Sequence, residues 1–406
     1  MLTGKIIISN GRINSWIIIS FGFFFPVIAL LNYILDIHSG ILSQAYRAIN
    51  LILSLLIIGH VIWKSLDNKK IMLPIGLFFF ILFWIIYLLR IFSDIELFKI
   101  TENTMYSKFY YYSFTIGVTF LPALAAALLK PIDFHYLISD LKKVLAILNI
   151  AIIVLFLKKI IVEGNSLSRF YLQHGSMELL NPITIGIYAA ILILICLFQK
   201  ENKTMDYFYI SVATINLFAA ASKGPILFII PVLLIAAINN LKLFFKNYMD
   251  MTIKILLSSI VLSTLLFFSS KMLIVNRIIN FSADKSSSVR SEILSDAFSQ
   301  FLSAPIFGSH FLVIKMNFYS HNLLLDVLLA NGFIGMLLLL PVLIIFIYIL
   351  FKNKFRSPLL LILLFLFFCS NTSGSVYASN EFWIILALVL ANGYKFNQEE
   401  IIKANK

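Results

Sequence analysis

Uninterrupted apolar runs of about 18–23 residues recur through this chain, and their length dictates its fold class. Segments such as 13–35, 41–63 and 182–199 contain at most one or two charged side chains. A helix satisfies its own backbone hydrogen bonds and can enter hydrocarbon at that length; an open strand cannot. A β-barrel is excluded as well, because barrel strands alternate in segments of about ten residues. Composition agrees: 61% of the chain is hydrophobic and 13% charged. Soluble domains run nearer ~45–50% and ~25%. The expected fold is an all-α, polytopic integral membrane protein, with residues 1–406 forming one transmembrane domain.

About twelve spans are expected, at 13–35, 41–63, 72–92, 111–129, 141–161, 182–199, 206–221, 224–241, 252–270, 322–351, 358–371 and 380–395. The segment 322–351 is long enough to tilt or to project beyond a bilayer. Lys5 and Arg12 precede the first run as in a signal peptide, but the run is too long and no small-residue cleavage site follows. It reads as an uncleaved span. Cys196 and Cys369 lie inside apolar runs, where a small buried hydrophobe is expected rather than a disulfide or metal ligand.

The net charge of +13 would suggest nucleic acid in a soluble protein. Here the basic residues sit in short loops between spans, so a bilayer explains them and no nucleic-acid partner is expected. More than half of the 32 Lys and Arg fall on one side, among them Lys5, Arg12, Lys64, Lys130, Lys200, Lys352 and Lys406. That side, with both termini, is expected to be cytoplasmic. The loops at about 92–110, 162–181 and 271–321 then face outward.

The segment 271–321 is the longest polar stretch. Within it Val289, Ile293, Ala297, Phe298, Phe301 and Leu302 share one face at helical spacing. Ser286-Ser287-Ser288 offers an N-cap and Pro305 a stop. An amphipathic helix on the bundle's outer surface, or packed over it, is expected.

Candidate chemistry clusters on this side. Arg290 is expected in the helix's first turn, beside free N–H donors, where a guanidinium could grip phosphate oxygens in pairs. His321 stands where the loop re-enters the apolar sequence, between Ser320 and Asn322. An imidazole titrating near pH 6.5 could take a proton from a hydroxyl or hydrogen-bond a phosphate. Asp326 lies one turn on, on the face of Asn322; an acid there points to a polar cavity or a partner. Lys223 occupies the turn Ala221-Ser222-Lys223-Gly224-Pro225, suited to an anion or to a lipid headgroup. Arg169, His174 and Glu178 lie in another outward loop, while Arg47 and Arg90 near span ends are weaker candidates. A Walker A loop, a dinucleotide Gly motif, a zinc-type His/Cys spacing and a DxD pair are all missing. No cofactor or metal is expected, and a transferase of this kind would rely on basic side chains to stabilise its leaving group.

These residues occur in an order that resembles the Wzy-type O-antigen polymerase and ligase superfamily of bacterial surface-polysaccharide enzymes. Arg290…Ala297…Pro305-Ile306-Phe307-Gly308…Phe311 resembles its Arg…Ala…Pro-x-x-Gly-x-Gly pattern. His321-Asn322-x-x-Leu325…Gly332-x-x-Gly335 resembles its His-Asn…Gly-x-x-Gly pattern, and Ser222-Lys223-Gly224 its Ser-Arg-Gly turn. Lys223 departs from the common arginine, Leu294 from an often aromatic position, and His310 from a second loop glycine. The resemblance implies a polymerase in the bacterial inner membrane. It would join undecaprenyl-diphosphate-linked oligosaccharide units on the periplasmic face, with a chain-length-regulating membrane protein as a possible partner. Lys223 and Arg290 would stabilise the departing diphosphate and His321 would position or deprotonate the acceptor hydroxyl. Arg169, Asn322 and Asp326 would bind substrate. A ligase using lipid A-core as acceptor is the nearest alternative, and a lipid-linked oligosaccharide flippase, with polar broken helices at mid-membrane, the second.

Overall fold

The computed structural model describes residues 11–37, 41–68, 73–94, 108–163, 170, 172–174, 177–199, 203–239 and 285–392. The expected span 252–270, the first part of the loop 271–321 and Arg169 lie outside the described residues.

The described chain is almost entirely helical. In order it forms α1 (Gly11–Phe23), α2 (Phe25–Ile34), α3 (Ile41–Asn68), α4 (Ile75–Ser93) and α5 (Lys108–Phe114). A π-helical stretch (Thr115–Phe120) leads into α6 (Leu121–Leu128), followed by α7 (Phe134–Glu163). A short antiparallel hairpin, β1 (Leu172–His174) and β2 (Met177–Leu180), precedes α8 (Pro182–Phe198), α9 (Lys203–Ala219) and α10 (Lys223–Asn239). Then come α11 (Lys285–Ser303), α12 (Leu323–Lys352), α13 (Pro358–Ser373) and α14 (Asn380–Asn392). Outside 252–270 the expected spans fall on helical segments, 13–35 on α1 and α2 and 111–129 on α5, the π-helical stretch and α6. Among the described residues four helices can cross a membrane by length and composition, or five if α1 and α2 form one broken span, and four shorter apolar helices accompany them. This is the makeup of an all-α membrane protein.

Local chemistry explains the irregularities. α1 and α2 meet at a 67° bend, because Pro26 in the first turn of α2 has no N–H to continue the ladder. α7 begins at Phe134, earlier than the expected span, and Lys142 lies inside it. There it pairs with Asp206 of α9, both side chains being buried. Cys196 and Cys369 are both buried, as expected for small hydrophobes inside apolar runs. The core centres on Trp84 and Trp383, whose rings stand 5.2 Å apart at a steep angle with Phe80, Phe83 and Phe120 around them.

The expected amphipathic helix is α11, and it packs onto α12. Ile293, Ala297 and Phe301 are buried against Val313 and Leu329. The buried stripe is narrower than the apolar face in the sequence: Val289, Phe298 and Leu302 remain exposed. The helix starts at Lys285. Ser286–Ser288 therefore form its first turn instead of capping it, and Arg290 stands in the second turn, away from the free N–H groups.

α12 is broken at Gly332, where φ is 59° and ψ −151°. A break within an apolar helix leaves peptide groups that lipid cannot satisfy. Here the turn after α11 satisfies them. Ser309 N–H donates to Leu329 O at 2.8 Å, and Phe333 N–H and Ile334 N–H donate to Pro305 O and Ile306 O at 2.8 and 3.2 Å. Arg90 of α4 completes the seam, donating to Ala330 O at 2.6 Å, Phe307 O at 2.7 Å and Ser309 O at 3.2 Å. Gly308, with φ 70°, faces the same seam: a Cβ there would stand 2.5 Å from the Leu329 and Ala330 backbone, and one on Gly332 would collide with Pro305 and Ile306. The Pro-x-x-Gly and Gly332 patterns are thus two halves of one contact.

Gly332→Ala is expected to destabilise the protein by about 2–4 kcal/mol, since a strained φ and a backbone clash coincide. Arg90→Leu should lower the thermal midpoint in detergent similarly, and Arg90→Lys should recover little, because an ammonium cannot span three carbonyls. A wild-type midpoint in either Arg90 variant would contradict this role.

Candidate functional site

The end of α13 gathers the residues singled out from the sequence. Its last turn, Asn371-Thr372-Ser373, is polar and borders three separate elements. Arg290 of α11 donates Nη1 to Thr372 O at 3.4 Å. Gly224, at the start of α10 beside Lys223, packs on the same turn; a Cβ on it would meet Thr372 Oγ1 at 3.5 Å and Ser373 Oγ at 3.9 Å. Asn371 Oδ1 accepts the N–H of Leu324 in the first turn of α12 at 3.2 Å. His321 is close enough for the Arg290 charge and the Ser373 backbone both to act on its ring. Arg290, His321 and the Lys223 turn therefore lie around one helix end, although about a hundred residues separate Lys223 from His321 in sequence.

His321 is held there by its neighbours. Ser320 is buried and donates both its N–H (2.9 Å) and its Oγ–H (2.6 Å) to Asp326 Oδ1. The other carboxylate oxygen of Asp326 accepts from Val376 N–H at 3.4 Å. Asn322 is the N-cap of α12, its Oδ1 accepting Leu325 N–H at 3.0 Å. Asp326 and Asn322, expected as substrate ligands, are thus taken up by protein groups: a closed set of bonds leaves Asp326 buried and Asn322 capping. They position the loop, and His321, between Ser320 and Asn322, stands beside Arg290 and Ser373. Its backbone sits in the left-handed region at φ 61°, a conformation that costs a non-glycine residue about 1–2 kcal/mol. Its Nδ1 is enclosed and makes no hydrogen bond among the described residues. Tyr319 meets the ring edge-on at 4.5 Å and Phe318 lies 5.2 Å away.

Burial, and secondarily the Arg290 charge, push the His321 imidazole down to about 4 from its ordinary value, while the Ser373 backbone opposes them. The ring is neutral at pH 7. This departs from the titration near pH 6.5 expected from the sequence.

Beside His321, Tyr319 and Ser373 also line a cavity of ≈ 210 Å³ between α8, α13 and the start of α14. Asn181, Ser375 and Ser379 border it, and Tyr188 Oη donates to Glu381 Oε1 across its wall at 2.5 Å. The sequence reading passed over Asn371, Thr372, Ser373 and Glu381. A signal was present, since Ser370-Asn371-Thr372-Ser373-Gly374-Ser375 is a polar run between two apolar ones. Arg90 and Arg47 prove to be engaged elsewhere, Arg90 in the seam and Arg47 over the rings of Tyr110 and Phe114, each at 5.1 Å. His310 lies 3.4 Å from Asp94. Asp94 also accepts Phe311 N–H at 2.8 Å. The side chains of His174 and Glu178 fall outside the described residues. No group of three or more potential metal ligands occurs among the described residues.

In comparisons with known proteins, no family model and no curated protein matches the chain.

The strained His321 backbone yields a direct check. His321→Gly should be more stable than His321→Ala by about 1 kcal/mol, as read by thermal or denaturant unfolding. Equal stability of the two variants would mean that the left-handed conformation is absent in solution.

Proposed function

We propose that this protein is a bacterial surface-polysaccharide polymerase, joining polyprenyl-diphosphate-linked oligosaccharide units without a metal. The observation that carries this reading is the convergence of Arg290, the Lys223 turn and His321 on one end of α13. Two cations and a neutral imidazole suit a diphosphate leaving group and an acceptor hydroxyl. In the step envisaged, the bond from the donor's anomeric carbon to the diphosphate oxygen breaks, and its electron pair leaves with the diphosphate. An acceptor hydroxyl oxygen bonds to that carbon and gives its proton to His321, which passes it to solvent. Arg290 and Lys223 offset the charge that grows on the diphosphate. The hydroxyl-rich cavity beside Tyr319 offers a place for the acceptor sugar. On this reading the site faces the periplasm and the chain lies in the inner membrane with both termini cytoplasmic, as the loop charges favour. Arg169 stays a candidate substrate ligand.

The depressed His321 basicity fits a base switched on by substrate. Arg290 disfavours the imidazolium. A bound diphosphate would cancel that charge and reverse the effect, so His321 becomes an effective base only with the donor in place. A flippase would draw support from the broken helices. At Gly332, however, the freed carbonyls and amides are taken by the 305–309 turn and Arg90.

Arg290→Ala and His321→Ala should each lower polymerisation by about 10²–10³-fold, with Lys223→Ala less severe. Glycan length in cells and with purified lipid-linked units is the readout, and normal long chains in the Arg290 and His321 variants would refute these roles. Deleting the gene should leave lipid A-core capped with one repeat unit; bare core would indicate a ligase. Reconstituted protein that moves lipid-linked glycan across a bilayer without lengthening it would indicate transport.

The pH profile gives a further test. The acid limb of kcat/KM reports the free enzyme and should lie near pH 4, whereas that of kcat reports the complex and should lie higher. Arg290→Ala removes a charge that lowers His321 basicity, so the kcat/KM limb should move upward. Coincident limbs near pH 6.5 would refute the switch.

A further inference from the structure

At the opposite end of the bundle from His321, four helix ends enclose a second cavity, of ≈ 400 Å³. It lies between the start of α4, Lys130 just beyond α6, and the ends of α12 and α14. Its walls are apolar: Ile75, Ile345, Ile349 and Leu390 line it, with Tyr348 at the side. Two lysines, Lys130 and Lys352, border it. Ile75 is 68% and Tyr348 54% exposed, so the cavity is a cleft open toward the surroundings of the helices, which for these apolar surfaces are lipid. Both lysines are exposed, and Lys352 Nζ lies 5.7 Å from the Tyr348 ring centroid.

A cleft with a hydrocarbon floor and a two-lysine rim matches an amphiphile with an anionic head. The apolar floor has no use for a free inorganic anion but fits an acyl chain. Basic pockets between transmembrane helix ends are where anionic lipid headgroups bind. We propose that this cleft is a specific site for an anionic phospholipid: Lys130 and Lys352 hold the phosphate, and an acyl chain lies along Ile75, Ile345, Ile349 and Leu390. The site is separate from the His321 cluster and does not rest on the function proposed for it.

The test uses the full-length protein purified in mild detergent. It is offered equal phosphatidylglycerol and phosphatidylcholine of identical chains, and retained lipid is read by native mass spectrometry. The wild type should retain phosphatidylglycerol preferentially. Lys130→Gln combined with Lys352→Gln should lower its retention about fivefold or more while leaving phosphatidylcholine unchanged, and the double Arg variant should keep it. Ala391→Trp fills the cleft and spares both lysines, so it should also release the lipid, whereas excess inorganic phosphate should not displace it. Equal retention of the two lipids by wild type, undiminished phosphatidylglycerol in the Gln variant, or displacement by phosphate alone would each overturn the site. Should the double Gln variant fail to fold, Lys352→Gln alone and Ala391→Trp decide the matter by the same readout.

Discussion

The seam between the 305–309 turn and the break in α12 supports everything on the His321 side of the molecule. Two glycines in the left-handed region let two backbones approach each other, and Arg90 reaches across from α4 to take three of the carbonyls. In a low-dielectric setting an unsatisfied peptide group is expensive, so a break in an apolar helix persists only when something else bonds the freed groups. That requirement ties α4, α11 and α12 into one unit. It sets how α11 lies on α12, and hence where Arg290 is presented. It also sets where the first half of α12 begins, and hence where His321 stands.

Around that unit the chain separates structural from reactive polar groups in an orderly way. Ser320, Asn322 and Asp326 close a set of hydrogen bonds among themselves and with Val376, leaving His321 strained, half-buried and outside the set. A neutral imidazole beside a guanidinium is poised for a ligand that brings negative charge. The opposite end uses basic side chains differently: Lys130 and Lys352 rim an apolar cleft, and their chemistry is that of a headgroup site.

The order of residues singled out in the sequence mixed these two kinds of residue. Arg290 and His321 belong to the candidate site, whereas Pro305, Gly308 and Gly332 belong to the seam, and a linear motif cannot distinguish them. Asp326 illustrates the difficulty. Its spacing from Asn322 places both on one helix face, which fits substrate binding as well as it fits a clamp; only the positions of Ser320 and Val376 decide between them. The polar run Ser370–Ser375 was legible as an interruption of apolar sequence. What it meets was not, because Gly224, Arg290 and Leu324 come from distant parts of the chain.

Apolar run length by itself determined that this chain is a bundle of helices able to enter a membrane, and helical periodicity determined that α11 is amphipathic. Both follow from local physics: the rise of a helix per residue and the need to satisfy backbone groups internally. Tertiary structure alone decided that α12 breaks at Gly332, that Arg90 serves the backbone instead of a ligand, and that His321 is neutral beside Arg290. Each of those depends on groups far apart in sequence lying a few ångströms apart in space, where hydrogen bonding and desolvation set the outcome.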